Sequence, residues 1–337
     1  MACGMLRVAA AGVAIVIGCR SSTETKPRDL AATAAMPGAS ADPWAVPAPD
    51  PNETLAAARA TFKTKLIDSE LDNAPPESPP KSLLLVHFDA APGKLAAYLT
   101  PDPGDGTKHP AIIWITGGDC NSIGAVWIPS DPNDDQTASQ YRDAGIVVMY
   151  PSLRGGNNNP GRREGFYGEV DDVLAAAAFL VRQPYVDPSR IYLGGHSTGG
   201  TLVLLVAAAA PTNTFRAAFA SGPIHDVAAY GVPNPYCPFN TANPRELELR
   251  SPARWINTVA TPTLVFEGTE QANLESLLLM KARSKNPLVT FIPVDGRTHF
   301  DVLAPANAFL ASQIIGPWRR NPPVFDNQAF LSAVEKH

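Results

Sequence analysis

The chain has 337 residues and a formal net charge of −5, with acidic and basic side chains interspersed rather than in blocks. That length can bury one large core with an N-terminal extension to spare, and without a basic stripe to neutralise phosphates nucleic acid is not an expected partner. Proline reaches 34 residues, but many fall between Pro27 and Pro80, so the excess describes the leader region rather than the folded part.

From Met1 through Arg7 the chain enters an apolar run at 8–17 that ends in Val16-Ile17-Gly18-Cys19. The run is far shorter than the ~20 residues that cross a bilayer, whereas a small residue before a cysteine suits processing. These four residues resemble the lipobox of bacterial lipoproteins. The resemblance implies a signal peptide over 1–19, lipid on Cys19, and a membrane partner reached through that anchor. With Arg20 next rather than an aspartate, it also implies a place in the bacterial cell envelope, on the periplasmic side of the outer membrane or the cell surface. Residues 20–53, rich in Ala, Pro, Ser and Thr, are expected to form a disordered tether. Residues 54–80 are expected to hold a helix over 54–71 and a proline-rich connector, and the catalytic domain is expected over 81–337.

Within that domain strand and helix signals alternate. Residues 82–88 and 94–99 predict a hairpin turned at Ala91-Pro92-Gly93. The runs 110–116 and 146–150 are continuously apolar, as strands covered on both faces are. A helix is predicted at 169–182, with Glu169, Asp171 and Asp172 in the first turn where the helix dipole favours them. Strand 190–194 leads directly into helix 199–210. Strands at 217–220, 263–267 and 289–293 and helices near 273–282 and 305–315 complete the pattern, and 222–249 is a candidate cap segment. Alternation of this kind predicts an α/β fold with a mainly parallel central sheet and helices on both faces.

The strongest chemical signal is Gly194-Gly195-His196-Ser197-Thr198-Gly199-Gly200. Glycines two before and two after the serine let the chain turn sharply from strand to helix and leave Oγ exposed, so Ser197 is the expected nucleophile. A serine needs a base and an orienting acid, which follow in the order Ser, acid, His. His299 fits the base, lying between strand 289–293 and the last helix. The acid is expected just past strand 263–267, with Glu270 preferred and Glu267, then Asp226, as alternatives. The oxyanion donors are expected at the N–H of Thr198 and at Gly118 or Asp119, in Thr116-Gly117-Gly118-Asp119. Cys120 and Cys237 are either bridged, in a compartment where disulfides persist, or two buried thiols. No metal-ligand spacing or phosphate loop appears, so neither a metal nor another cofactor is expected.

The elbow, Tyr150-Pro151-Ser152-Leu153-Arg154-Gly155 and Gly165-Phe166-Tyr167-Gly168-Glu169-Val170-Asp171-Asp172 together resemble the prolyl oligopeptidase branch of the α/β-hydrolases. The resemblance runs from about Lys81 to the last helix. It implies an α/β-hydrolase fold and a serine peptidase acting on small peptides through an acyl-enzyme. In that branch an aspartate stands three residues after a strand-ending glycine; Gln271 stands at that place here, and Glu270 is one residue early. Arg154, Glu169 and Asp171 are expected to order loops through ion pairs and caps. A carboxylesterase on small acyl esters and a non-catalytic, lipid-anchored binding protein on the same scaffold are the alternatives.

Overall fold

The computed structural model describes residues 53–67, 71–231, 236–270 and 273–335. Cys19 and the expected signal peptide and tether, up to Asn52, lie outside the described residues. The first described helix, α1 (Leu55–Thr61), is capped by the Thr54 hydroxyl, which accepts from Ala57 N–H at 3.2 Å. It is much shorter than the helix expected over 54–71. Phe62 turns extended, and the following residues serve as a strap: Leu66 bridges Phe239, and Ile67 N–H donates to the Pro238 carbonyl at 2.8 Å. Tertiary pairing overrides local helix propensity here.

The strands are β1 (Leu84–Ala90), β2 (Gly93–Leu99), β3 (His109–Ile115), β4 (Val147–Pro151), β5 (Val186–His196), β6 (Ala217–Ser221), β7 (Thr263–Gly268) and β8 (Val289–Val294). They form one sheet in the order β1-β2-β4-β3-β5-β6-β7-β8. The hairpin β1–β2 and the pair β2–β4 are antiparallel; every other pairing is parallel. The remaining helices are α2 (Ser139–Asp143), α3 (Glu169–Val181), α4 (Thr198–Ala209), α5 (Pro244–Glu248), α6 (Pro252–Trp255), α7 (Leu274–Arg283), α8 (Leu303–Ile315) and α9 (Asn327–Val334).

The pleat explains why the central strands are apolar throughout. On β3, Ala111, Ile113 and Ile115 enter one core together with residues of α1, α3, α4 and α7, while Ile112 and Trp114 enter a second core with residues of α2, α8 and α9. Successive side chains thus face two helical layers, and neither face can be polar. Helix α4 follows the elbow and is buried along its whole length, as a helix that is apolar all round must be. Because β3 to β8 run parallel, their C-terminal ends gather along one edge of the sheet, where such folds place their ligands.

Candidate active site

Ser197 lies between the end of β5 and the start of α4 with φ 55° and ψ −115°. This strained conformation is the one the elbow imposes on a side chain it must present. The serine's N–H donates to the Ser221 carbonyl at 2.8 Å, tying the turn to the end of β6. Gly199 is required by packing: a Cβ there would lie 2.2 Å from the Ile115 carbonyl oxygen. The Ser197 hydroxyl itself makes no hydrogen bond among the described residues.

His299 sits beyond β8, in a turn held by Thr298 N–H donating to Asp301 Oδ1 at 2.7 Å. Its Nδ1 lies 2.8 Å from Glu267 Oε2, and both side chains are buried, Glu267 completely. Since a carboxylate only accepts, Nδ1 carries a proton. The second Glu267 oxygen accepts from the N–H of Gly268 at 3.0 Å.

The structure therefore pairs His299 with Glu267, the alternative acid, and not with the preferred Glu270. Alternation along β7 puts Thr263, Val265 and Glu267 on one face, so the last of these aims its carboxylate off the strand end. One residue later the chain turns against the His299 loop, and a Cβ on Gly268 would lie 2.2 Å from the Arg297 carbonyl oxygen. By Glu270 the backbone has passed the site: its N–H donates to Arg297 O at 2.9 Å and its side chain is exposed. Gln271 lies outside the described residues. Asp226 has a structural task, accepting from Ala228 N–H at 2.9 Å to cap the 3-10 turn Val227–Tyr230.

Gly222, which the sequence did not single out, makes room for the pair. It follows β6 with φ +58°, and a Cβ there would lie 2.3 Å from Glu267 Oε2 and 2.4 Å from His299 Cε1. Asn273 Nδ2 holds it by donating to the Gly222 carbonyl at 2.7 Å. The only local signal was a glycine directly after a short strand, which many turns share.

Of the expected oxyanion donors, Thr198 is the first residue of α4, so its N–H lies outside the helical ladder. Its hydroxyl donates to the Gly118 carbonyl at 2.9 Å, and Tyr236 OH donates to the same oxygen at 3.2 Å. The elbow, the Gly117–Asp119 loop and the candidate cap segment thus meet at one carbonyl. The Asp119 carboxylate pairs with Arg163 at 2.7 Å. A cavity of about 200 Å³ adjoins this loop, lined by Asp119, Cys120, Asn121, Phe166 and Tyr236 among others. A second, more open hollow of about 470 Å³ is bounded by Asp72, Thr116, Gly117 and Gln136 among others.

Cys120 and Cys237 are not bridged: both are buried thiols within the same apolar core. Burial, with Glu169 and Asp119 nearby, pushes the Cys120 thiol far above its usual range and keeps it protonated. The expected loop-ordering residues find their partners as follows. Arg154 pairs with Asp172 at 2.8 Å and Glu164 at 2.6 Å, whereas Asp171 reaches Arg59 of α1 at 2.7 Å. Glu169 accepts from Asn121 Nδ2 at 3.1 Å and from Glu164 N–H at 2.7 Å. Asp171 and Asp172 are adjacent on a helix, so they point in different directions and only one can face the Arg154 loop.

Residues 132–282 match the prolyl oligopeptidase family, Peptidase S9. The apo structure of prolyl oligopeptidase B from Galerina marginata superposes with a TM-score of 0.52 at 22% identity, over 69% of this chain and 36% of that one. The chain has an α/β-hydrolase fold. Among curated relatives, the dual function macrocyclase-peptidase POPB of Galerina marginata is 37% identical over 92 residues, 26% of this chain and 13% of the relative. Prolyl oligopeptidase A of the same fungus is 34% identical over 133 residues, 37% of this chain and 17% of the relative. The chain thus matches less than a fifth of the length of these curated relatives.

Proposed function

We propose that this α/β-hydrolase is a serine peptidase of the prolyl oligopeptidase type that cleaves small peptides through an acyl-enzyme. The observation that carries the reading is the His299 Nδ1–Glu267 Oε2 contact of 2.8 Å at the strand ends beside the Ser197 elbow. In this mechanism Ser197 Oγ attacks the scissile carbonyl while His299 Nε2 takes its proton. Glu267 holds the tautomer and stabilises the imidazolium that forms. The C–N bond then breaks as Nε2 returns the proton to the leaving amine, and water repeats the sequence on the acyl-enzyme. The negative oxygen is received by the Thr198 N–H and an amide of the Gly118–Asp119 loop. Substrate binding closes the Ser197–His299 contact, since such bonds often tighten only in the complex.

The relatives' names favour a peptide over an ester. A side-by-side assay of short peptide amides and p-nitrophenyl acyl esters tests this. Cleavage of amides is expected, and turnover of esters with no turnover of any peptide in a broad peptide set sinks the peptidase reading in favour of a carboxylesterase.

We further propose that the chain is lipid-anchored in a bacterial cell envelope through Cys19, on the support of Val16-Ile17-Gly18-Cys19 after its apolar run. A Cys19→Ser variant is expected to move from the membrane fraction to the soluble fraction. Unchanged partition between the two fractions counts against the anchor.

A further inference from the structure

His196, the variable residue of the elbow, is among the most buried polar side chains of the molecule at 1% exposure. Its Nε2–H donates to the main-chain carbonyl of His299 at 3.0 Å. The two imidazoles lie 4.4 Å apart between centroids at 44°, and Phe300 closes over both edge-on, at 5.5 Å from His196 and 5.0 Å from His299. On its other side the His196 ring is pressed against the Gly117 loop: a Cβ on Gly117 would lie 2.8 Å from His196 Nδ1, and Gln136 Oε1 stands 3.4 Å from the same nitrogen. One side chain therefore touches the His299 loop and the glycine loop while being covalently next to Ser197.

We propose that His196 is a positioning residue that sets the His299 ring against Ser197 by holding the His299 carbonyl. This inference rests on the serine-hydrolase reading above. The His299 loop has no regular secondary structure of its own at this point; Arg297 O ties it to the chain after β7 and Glu267 anchors the ring, but neither of these bonds reaches the elbow. The bond from His196 supplies the tie to the elbow, from the residue adjacent to the nucleophile. Burial, reinforced by the neighbouring His299, pushes the His196 imidazole down to about 3. The ring is thus neutral at working pH and has a single N–H, which the carbonyl takes. A neutral neighbour also adds no charge opposing the imidazolium that forms on His299 during acylation.

The test uses a fluorophosphonate probe on the full chain, reading separately the rate of labelling at saturation and the affinity for the probe. His196→Phe keeps an aromatic ring but removes the donor; His196→Gln puts an amide N–H near the place of Nε2. The saturating rate of H196F is expected to fall roughly 10- to 100-fold, because small misplacements of a catalytic group cost rate on that scale, with probe affinity little changed. H196Q is expected to stay within about threefold of wild type. A merely structural role would not separate rate from affinity, and an amide would not rescue it.

Equal rates for wild type and H196F overturn the inference, and so does an H196Q as slow as H196F. If H196F does not fold, the H196Q rate decides alone, and a tenfold or larger loss overturns it. A wild-type chain that never labels overturns the functional reading and this inference with it, whereas a wild type that labels no faster than H196F overturns this inference only.

Discussion

Glu267→Gln is expected to lower kcat by about 10⁴-fold, the loss seen when a triad carboxylate becomes an amide, while Glu270→Gln stays within about twofold of wild type. The asymmetry follows from geometry. Glu267 is completely buried, 2.8 Å from His299 Nδ1, and its other oxygen is held by the Gly268 amide. An amide in its place presents an N–H to one of these two donors, so either the wrong His299 tautomer is favoured or the Gly268 amide loses its acceptor. Glu270 is exposed and touches the site only through its backbone bond to Arg297. Steady-state kinetics on the two purified variants decide the matter. A larger loss in Glu270→Gln returns the acid role to that residue.

The largest expected loss of stability lies elsewhere, at Arg250. This arginine is completely buried, with Nη1 2.6 Å from Glu246 Oε2. It also donates to the Glu164 carbonyl at 3.0 Å and to Thr64 Oγ1 at 2.7 Å, and it stacks 3.9 Å from the Phe239 ring and 4.9 Å from that of Tyr167. Glu246 in turn accepts from the Thr64 hydroxyl at 2.8 Å and Lys65 N–H at 2.9 Å, so the pair joins the N-terminal strap to the segment after Tyr236. Arg250→Ala strands a buried carboxylate and is expected to cost about 3–5 kcal/mol in urea unfolding. Removing both charges together, as Arg250→Met with Glu246→Leu, is expected to cost less than the single change, since the penalty is mainly that of an unpaired buried charge. A single-variant loss below about 1 kcal/mol contradicts this picture of the strap.

What the sequence disclosed was whatever depends on neighbours along the chain. The apolar runs of β3 and β4 are two-faced because each is covered by helices on both sides, and such runs read as strands without any knowledge of their partners. The Gly-x-Ser-x-Gly elbow is a local backbone demand, met by five consecutive residues. The acid partner was harder because it depends on the pleat at the end of β7 and on where the His299 loop lies, and three candidates within a few residues of strand ends satisfy the chain order equally. Gly222 matters only because β6 brings it between Glu267 and His299, a juxtaposition with no trace in the residues beside it. The helix expected over 54–71 was overextended because propensity is blind to Phe239 and Pro238, which take residues 66–67 as a strap. Cys120 and Cys237 could not be resolved from spacing, since bridging is a matter of distance in space.

The central claim is that Ser197 is a nucleophile activated by His299. The most direct measurement is mass-spectrometric mapping of the adduct after wild type and Ser197→Ala are treated with a fluorophosphonate. A single adduct is expected on the peptide containing Ser197 in wild type and none in the variant. A folded wild type that stays unlabelled, or an adduct that persists in Ser197→Ala, contradicts it.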